Sequence, residues 1–214
     1  LWKLKDGQPL QYVLGKWDFY ESVFYIGEGV LILRPETEEL VEKAIDYIKT
    51  LGKCTVYDLC AGSGCIGLAV AENAPNCRVV LGELDEGALR VCKQNVRRNR
   101  LNAQVTCLSV NALEPPSPSL WDFDVIVCNP PYIPTGDIAG LDVSVKDYEP
   151  HKALDGGTDG LDFYRAIAPK WKTALRLGGT LLFEVGIHQA PDVERILAEN
   201  GYENIQTTAD PQGI

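Results

Sequence analysis

The sequence predicts an α/β fold, a mostly parallel sheet with helices on both faces. Three observations lead there. From Cys54 onward, short β-branched runs alternate with stretches of helical periodicity. The turn after the first of these runs is rich in glycine, as ligand-receiving strand-to-helix turns are. The run Val125-Ile126-Val127-Cys128 reads as a strand buried on both faces, and Asn129-Pro130-Pro131-Tyr132 ends it abruptly.

Taken in order, residues 1–16 are mixed, with a turn at Gly7-Gln8-Pro9-Leu10 and a short segment over 11–14 closed by Gly15. Trp17-Asp18-Phe19-Tyr20 and Val23-Phe24-Tyr25-Ile26 predict two short paired strands packed on the main domain. Residues 34–39 open a helix, with Pro35 at its first position and carboxylates at the positive end of its dipole. Leu40, Val41, Ala44, Ile45 and Ile48 form its apolar stripe. The main alternation follows: strand 55–59, helix 66–74, strand 78–82 ending at Glu83, helix 86–99, then strands 104–109 and 123–128. Residues 129–158 form a long polar loop, of a length kept mostly for function or mobility. A helix over 160–175, a strand over 180–185, a helix from Pro191 and a strand over 202–208 complete the pattern.

Composition narrows the function classes. A formal net charge of -10 argues against gripping a phosphate backbone, which needs a basic face. No apolar run approaches the roughly 20 residues of a membrane span, and no signal peptide is visible. With only His151 and His188 available, a histidine-based metal site or triad is not expected. The seven cysteines are odd in number and form no C-x-x-C, which predicts reduced thiols in a cytosolic protein. The chain starts at Leu1 and contains no methionine, so its natural N-terminus is expected upstream.

Two stretches carry chemistry. In Asp58-Leu59-Cys60-Ala61-Gly62-Ser63-Gly64-Cys65-Ile66-Gly67, residues 62–67 match G-x-G-x-x-G, and Glu83 follows at the end of the next strand. Glycines let the backbone approach a ligand, and an acid at that strand end can hold a ribose. The pattern fits NAD and S-adenosylmethionine alike, and its bland reading is a tight turn without ligand. Cys60 reads as a small buried residue rather than a nucleophile, since no His or Lys lies near it. The second stretch is the corner at Asn129. Pro130 and Pro131 carry no N–H, and Pro130 holds Asn129 extended. The corner therefore offers an amide and bare carbonyl oxygens at the carboxyl end of a central strand, where open α/β sheets bind ligands. Its bland reading is an ordinary strand-ending turn.

A glycine turn after the first strand, an acid after the second and Asn-Pro-Pro-Tyr after the fourth together resemble methyltransferases that modify planar amide or amino nitrogens. The flanks are similar to the protein-glutamine methyltransferases of the HemK/PrmC type: Pro9-Leu10-Gln11-Tyr12-Val13-Leu14-Gly15, Leu33-Arg34-Pro35-Glu36-Thr37-Glu38, Glu149-Pro150, Ala153-Leu154-Asp155-Gly156-Gly157, and Phe183-Glu184-Val185-Gly186 with Gln189. The resemblance covers nearly the whole chain. It implies the Rossmann-like class I fold, with a mostly parallel seven-stranded sheet whose last strand, after Asp210 to Gly213, is expected to be missing here. It further implies a remnant of an N-terminal domain plus a short β-element and linker over residues 1–33, and a catalytic domain over 34–214.

The resemblance also implies S-adenosylmethionine as cofactor, held by Cys60, Ala61, Gly62, Ser63, Gly64, Glu83, Asn111, Ala112 and Asn129. The implied substrate is a glutamine of the Gly-Gly-Gln motif in a peptide chain release factor, bound by Asn129, Pro130, Pro131 and Tyr132. Asn129, Pro130 and Tyr132 are expected to carry the chemistry: the Asn129 oxygen and the Pro130 carbonyl would accept the two amide N–H bonds, and Tyr132 would pack on the amide plane. Departures from the family pattern are Cys60-Ala61 within the glycine turn, Glu83 where Asp is commoner and Asn111 where Asp is frequent. The expected setting is cytoplasmic and monomeric, with no membrane and no direct nucleic acid. Alternatives are a ribosomal-protein glutamine methyltransferase, a nucleic-acid adenine-N6 methyltransferase, an NAD-dependent oxidoreductase and a non-catalytic module that keeps the pocket. Arg34 and Glu38 are either structural ion-pair partners or substrate-facing, and Glu184 is either an ion-pair partner or a wall of the site.

Overall fold

The structure is a computed structural model that describes residues 7–209. A short helix α1 (Leu10–Leu14) leads into an antiparallel hairpin of β1 (Lys16–Phe19) and β2 (Ser22–Tyr25), as the aromatic pairs predict. The helix α2 (Thr37–Lys49) follows. Then come β3 (Cys54–Leu59), α3 (Cys65–Asn73), β4 (Cys77–Glu83), α4 (Glu86–Arg98), β5 (Val105–Ser109) and β6 (Phe123–Cys128). A short helix α5 (Val143–Lys146) sits in the long loop, before α6 (Asp162–Trp171), β7 (Leu175–Phe183) and α7 (Ala190–Glu199).

The main sheet has the order β5-β4-β3-β6-β7, and each adjacent pair is parallel. Strand order therefore reverses between β3 and β6, which sets their carboxyl ends side by side at the crevice where such sheets bind ligands. Alternation along the strands feeds two cores. Val56, Val79, Leu81, Val125 and Val127 pack under α2, α3 and α4, and the hairpin's Phe19 and Phe24 join them. Tyr57, Leu59, Ile126 and Cys128 face the other way, against Ile167 and Trp171 of α6. Among the described residues no helix is long and apolar enough to cross a membrane.

Four expectations are corrected. The sheet has five strands among the described residues, and residues 202–208 join none; Tyr202 instead anchors the segment to α6 by donating its hydroxyl to the Ala168 carbonyl at 3.0 Å. The expected landmark at Asp210 to Gly213 lies outside the described residues, as do residues 1–6 of the expected N-terminal remnant. The helix expected over 160–175 stops at Trp171, with Pro169 in its last turn, and Leu175 already belongs to β7. A register shift between Phe123 and Val125 then absorbs Gly178 and Gly179 within the strand. The helix expected from Pro35 becomes regular at Thr37, after hydrogen-bonded turns at Arg34 and Pro35. Finally, not every thiol is free. The β3–β4 register sets Cys54 opposite Cys77, with Cα atoms 4.5 Å apart and the two sulfurs bonded, a pairing that a spacing of 23 residues does not reveal.

Candidate active site

The glycine turn is shaped by close packing. Gly64 takes a φ of +82° at the start of α3, a conformation that side chains other than hydrogen resist. At Gly67 an added Cβ would lie 2.3 Å from Leu81 and 3.0 Å from Asp58, so only glycine lets α3 press this close to the sheet. The Gly67 N–H donates to Asp58 Oδ2 at 2.8 Å. Asp58 is completely buried, and its Oδ1 has no hydrogen-bond partner. Burial pushes its carboxyl up to about 7, against the opposing pull of the Gly67 N–H. Behind the turn, buried Asn95 of α4 donates to the Ser63 carbonyl at 2.9 Å and exchanges two hydrogen bonds with the Tyr25 backbone, tying hairpin to turn.

Glu83, at the end of β4, accepts from the Gly62 N–H at 2.8 Å and from the Asp85 N–H at 2.7 Å. Asp85 caps α4 by accepting from Ala88 N–H at 2.8 Å. Its partner Lys152, from the long loop, holds its carboxyl below the ordinary range.

These groups line a cavity of about 400 Å³, a size typical of small-ligand sites. Of the residues expected to hold the cofactor, Cys60, Ala61, Gly62, Ser63, Glu83, Asn111, Ala112 and Asn129 line it, while Gly64 lies behind in the turn. Of those expected to bind substrate, Asn129 and Pro131 reach the cavity; Pro130 and Tyr132 are not among its lining residues. Asn111 spends its side-chain oxygen on the Leu113 N–H at 3.0 Å.

The corner at Asn129 is built from distant pieces. Asn129 Nδ2 donates to Thr37 Oγ1 at 3.3 Å, across 92 residues of sequence. The Tyr132 hydroxyl donates to Glu184 Oε1 at 3.3 Å. Its carbonyl accepts from Gln189 Nε2 at 2.8 Å, so Gln189 braces the loop as it leaves the sheet. Burial raises the Glu184 carboxyl, while hydrogen bonding to Thr37, Tyr132 and Asn129 works against that rise. Arg34 lines the cavity and pairs with the buried carboxylate of Glu149 at 2.5 Å. The other Glu149 oxygen accepts from the Ile32 N–H at 2.9 Å, so the pair fastens the wall at residues 29–34 to the long loop. Glu38 is not Arg34's partner; it accepts from the Tyr20 N–H at 2.8 Å.

Comparison with known proteins fits this geometry. The family model described as methyltransferase small domain matches residues 39–141. A release factor glutamine methyltransferase from Geobacter sulfurreducens is 42% identical over 97% of this chain and 71% of its own length. One of the same name from Clostridium acetobutylicum is 40% identical over 96% of this chain and 72% of its own. The chain belongs to the release factor glutamine methyltransferase family. Solved structures agree on the fold. A ribosomal protein L11 methylase from Lactobacillus delbrueckii subsp. bulgaricus superposes with a TM-score of 0.59 at 17% identity, covering 86% of this chain and 78% of that one. A methyltransferase from Agrobacterium tumefaciens gives 0.61 at 12% identity, covering 88% and 59%. The fold is thus that of the class I methyltransferases, and the oxidoreductase reading, which rested on the glycine turn alone, falls away.

In this member of the family, several residues behind the site escaped the sequence. Thr37 and Asp58 left one signal, a polar residue on an otherwise buried face. Asn95 left a similar one, inside the apolar stripe of α4. Lys152 left none, because a lysine in a polar loop looks like solvent-facing charge.

Proposed function

We propose that this chain transfers a methyl group from S-adenosylmethionine to the side-chain amide nitrogen of the glutamine in a release factor's Gly-Gly-Gln motif. The observation that carries the proposal is the sharing of one cavity by the glycine turn, Glu83 and Asn129. The cofactor's fit is supported by what faces that cavity. Gly62, with a φ of +56°, has no atom within 4 Å of where a Cβ would point, so a ligand can approach its backbone. Ser63 Oγ is buried without a partner. Glu83 is an acceptor at the strand end, where a ribose diol would donate. The bound cofactor supplies an electrophilic methyl carbon on a sulfonium.

A primary amide is a poor nucleophile because its nitrogen lone pair is shared with its carbonyl. The task of the protein groups is therefore placement and polarisation. Asn129 Oδ1 and the Pro130 carbonyl accept the two N–H bonds of the substrate amide, which draws electron density onto nitrogen and aims it at the cavity. Pro131, without an N–H, puts no competing donor at that corner. Tyr132, whose ring is proposed to pack on the amide plane once substrate is seated, is hydrogen-bonded to Glu184 in the free protein. No base is needed before transfer, because the proton becomes far more acidic once nitrogen is methylated. Alignment in such sites can supply up to about 7–11 kcal/mol. In this reading residues 34–214 are the catalytic domain, preceded by the β-element and linker within residues 1–33, of which residues 29–33 form part of the cavity wall. A release factor substrate puts the setting in the cytoplasm.

The test is transfer of labelled methyl to purified release factor, to the same factor with its motif glutamine replaced by alanine, to ribosomal protein and to DNA. Labelling of the intact factor alone is the expected result. Labelling of ribosomal protein or DNA in its place would overturn the substrate assignment.

A further inference from the structure

Asn129 serves as an acceptor only if its amide is turned one way round. A carboxamide has an acceptor end and a donor end of nearly equal shape, and its own torsion preferences do not choose between them. The choice is made by what stands behind it. Thr37, 3% exposed at the start of α2, accepts from Nδ2. Beyond it lies Glu184, the residue after β7, whose carboxylate is faced by the Thr37 hydroxyl, the Tyr132 hydroxyl and the Asn129 amide.

Glu184 is itself held firmly. Its N–H donates at 3.0 Å to the carbonyl of Cys128, the residue directly before Asn129, and its own carbonyl accepts from the Tyr164 hydroxyl at 2.8 Å. Its Oε2 is buried and closes no hydrogen bond of ordinary geometry, so acceptor capacity is left over. An ionised carboxylate accepts and never donates. Placed behind Asn129, it attracts the NH2 end and repels the carbonyl end. In a site shielded from water that preference is strengthened.

We propose that Glu184, with Thr37 as relay, is a positioning residue that locks the Asn129 amide with Nδ2 inward and Oδ1 toward the cavity. This rests on the reading of the substrate as a primary amide. It gives Glu184 a task that neither an ion pair nor a cavity wall describes: it does not line the cavity and acts through Asn129.

The test uses Glu184→Gln, Asn129→Asp, the double variant and Thr37→Val in the full chain. Cofactor affinity by calorimetry monitors folding of the site. Glu184→Gln keeps the shape but adds a donor, so Asn129 can flip. Turnover on release factor is expected to fall at least about tenfold, with KM and cofactor affinity within about twofold. Thr37→Val is expected to lower kcat by about three- to tenfold. Asn129→Asp alone sets two carboxylates together and loses more than either. In the double variant, the new glutamine amide donates to the new carboxylate at the corner and leaves that carboxylate's other oxygen for substrate. Turnover is therefore expected to recover at least about tenfold over Asn129→Asp. A merely structural Glu184 predicts no such recovery.

The side-chain NH2 resonances of Asn129 give a readout independent of substrate. They are expected downfield and slowly exchanging in the wild type, and shifted toward solvent values in Glu184→Gln. Unchanged resonances, or a double variant no better than Asn129→Asp, overturns the proposal. Should Glu184→Gln fail to fold, kcat of Thr37→Val within twofold of wild type does so instead. If the wild type labels no release factor, the substrate reading fails, and the resonances alone still decide the orientation.

Discussion

The two halves of the site each keep a carboxylate with one oxygen buried and unsatisfied, and they hold it by different means. Under the glycine turn, Asp58 Oδ2 takes a backbone N–H from Gly67, nine residues along the chain. Behind the corner, Glu184 is faced by side chains, from Thr37, Asn129 and Tyr132. The first half is shaped by the backbone and by glycines that allow close packing. The second is assembled by side chains from segments far apart in sequence. A backbone-built half can bind a ligand common to many enzymes. A side-chain-built half can be tuned to one substrate, and its performance should depend on single atoms.

The largest effect expected belongs to the first half. Asp58 keeps its proton to about 7 in the folded chain, against an ordinary value of 3.8. Between those values the folded state binds more protons than the unfolded state, so this carboxyl's contribution to stability falls as pH rises through the window. Asp58→Asn still accepts from Gly67, places an NH2 at the orphan position and carries no charge. In urea unfolding of the free protein, the variant's advantage over wild type is expected to grow from near zero at pH 4 to at most about 4 kcal/mol at pH 8. A flat difference would show that the buried charge is not what the turn tolerates.

Next comes a crossed pair of substitutions. Asn129→Ala removes an oriented acceptor and is expected to cut kcat by about 10²–10³, with cofactor affinity nearly intact. Glu83→Ala removes the acceptor that organises Gly62 and Asp85. It is expected to weaken cofactor binding by about 10- to 100-fold and leave kcat at saturation close to wild type. Calorimetry beside steady-state rates reads both. If both variants lost binding and turnover together, the site would be one unit and the comparison would break.

This difference also explains what could be read from the sequence. The strand–turn–helix and the acid at the next strand end lie within a short stretch, so spacing marked Gly62, Gly64 and Glu83 as candidates, and the family resemblance added Ser63. The corner announced itself because Pro130 and Pro131 leave the backbone few choices. The orienting role of its supporting groups could not be read, since Thr37 shows only as one polar residue on a buried helix face and Glu184 follows a strand on another part of the chain. The strand expected over 202–208 failed for a related reason. β-Branched and aromatic residues give a propensity, but a strand needs a neighbour to pair with, and Tyr202 bonds to a helix carbonyl instead. The Cys54–Cys77 bond is likewise a product of register rather than of spacing.

The smallest effect expected tests how far the side-chain-built half relies on a single long-range tie. Arg34 meets Glu149 across 115 residues, and its side chain is 33% exposed while that of Glu149 is 1% exposed. Arg34→Ala strands the carboxylate, though water can reach the vacated side and Ile32 still donates to it. The expected loss is therefore about 1–3 kcal/mol, below the roughly 3–5 usual for breaking a fully buried pair. Glu149→Gln in that background removes the stranded charge and keeps an oxygen for the Ile32 N–H, so it should restore part of the loss. A double-mutant cycle by thermal or urea unfolding measures the coupling. Additive losses would mean that the wall at residues 29–34 stands without this pair, and that the corner's dependence on side chains ends at Thr37 and Glu184.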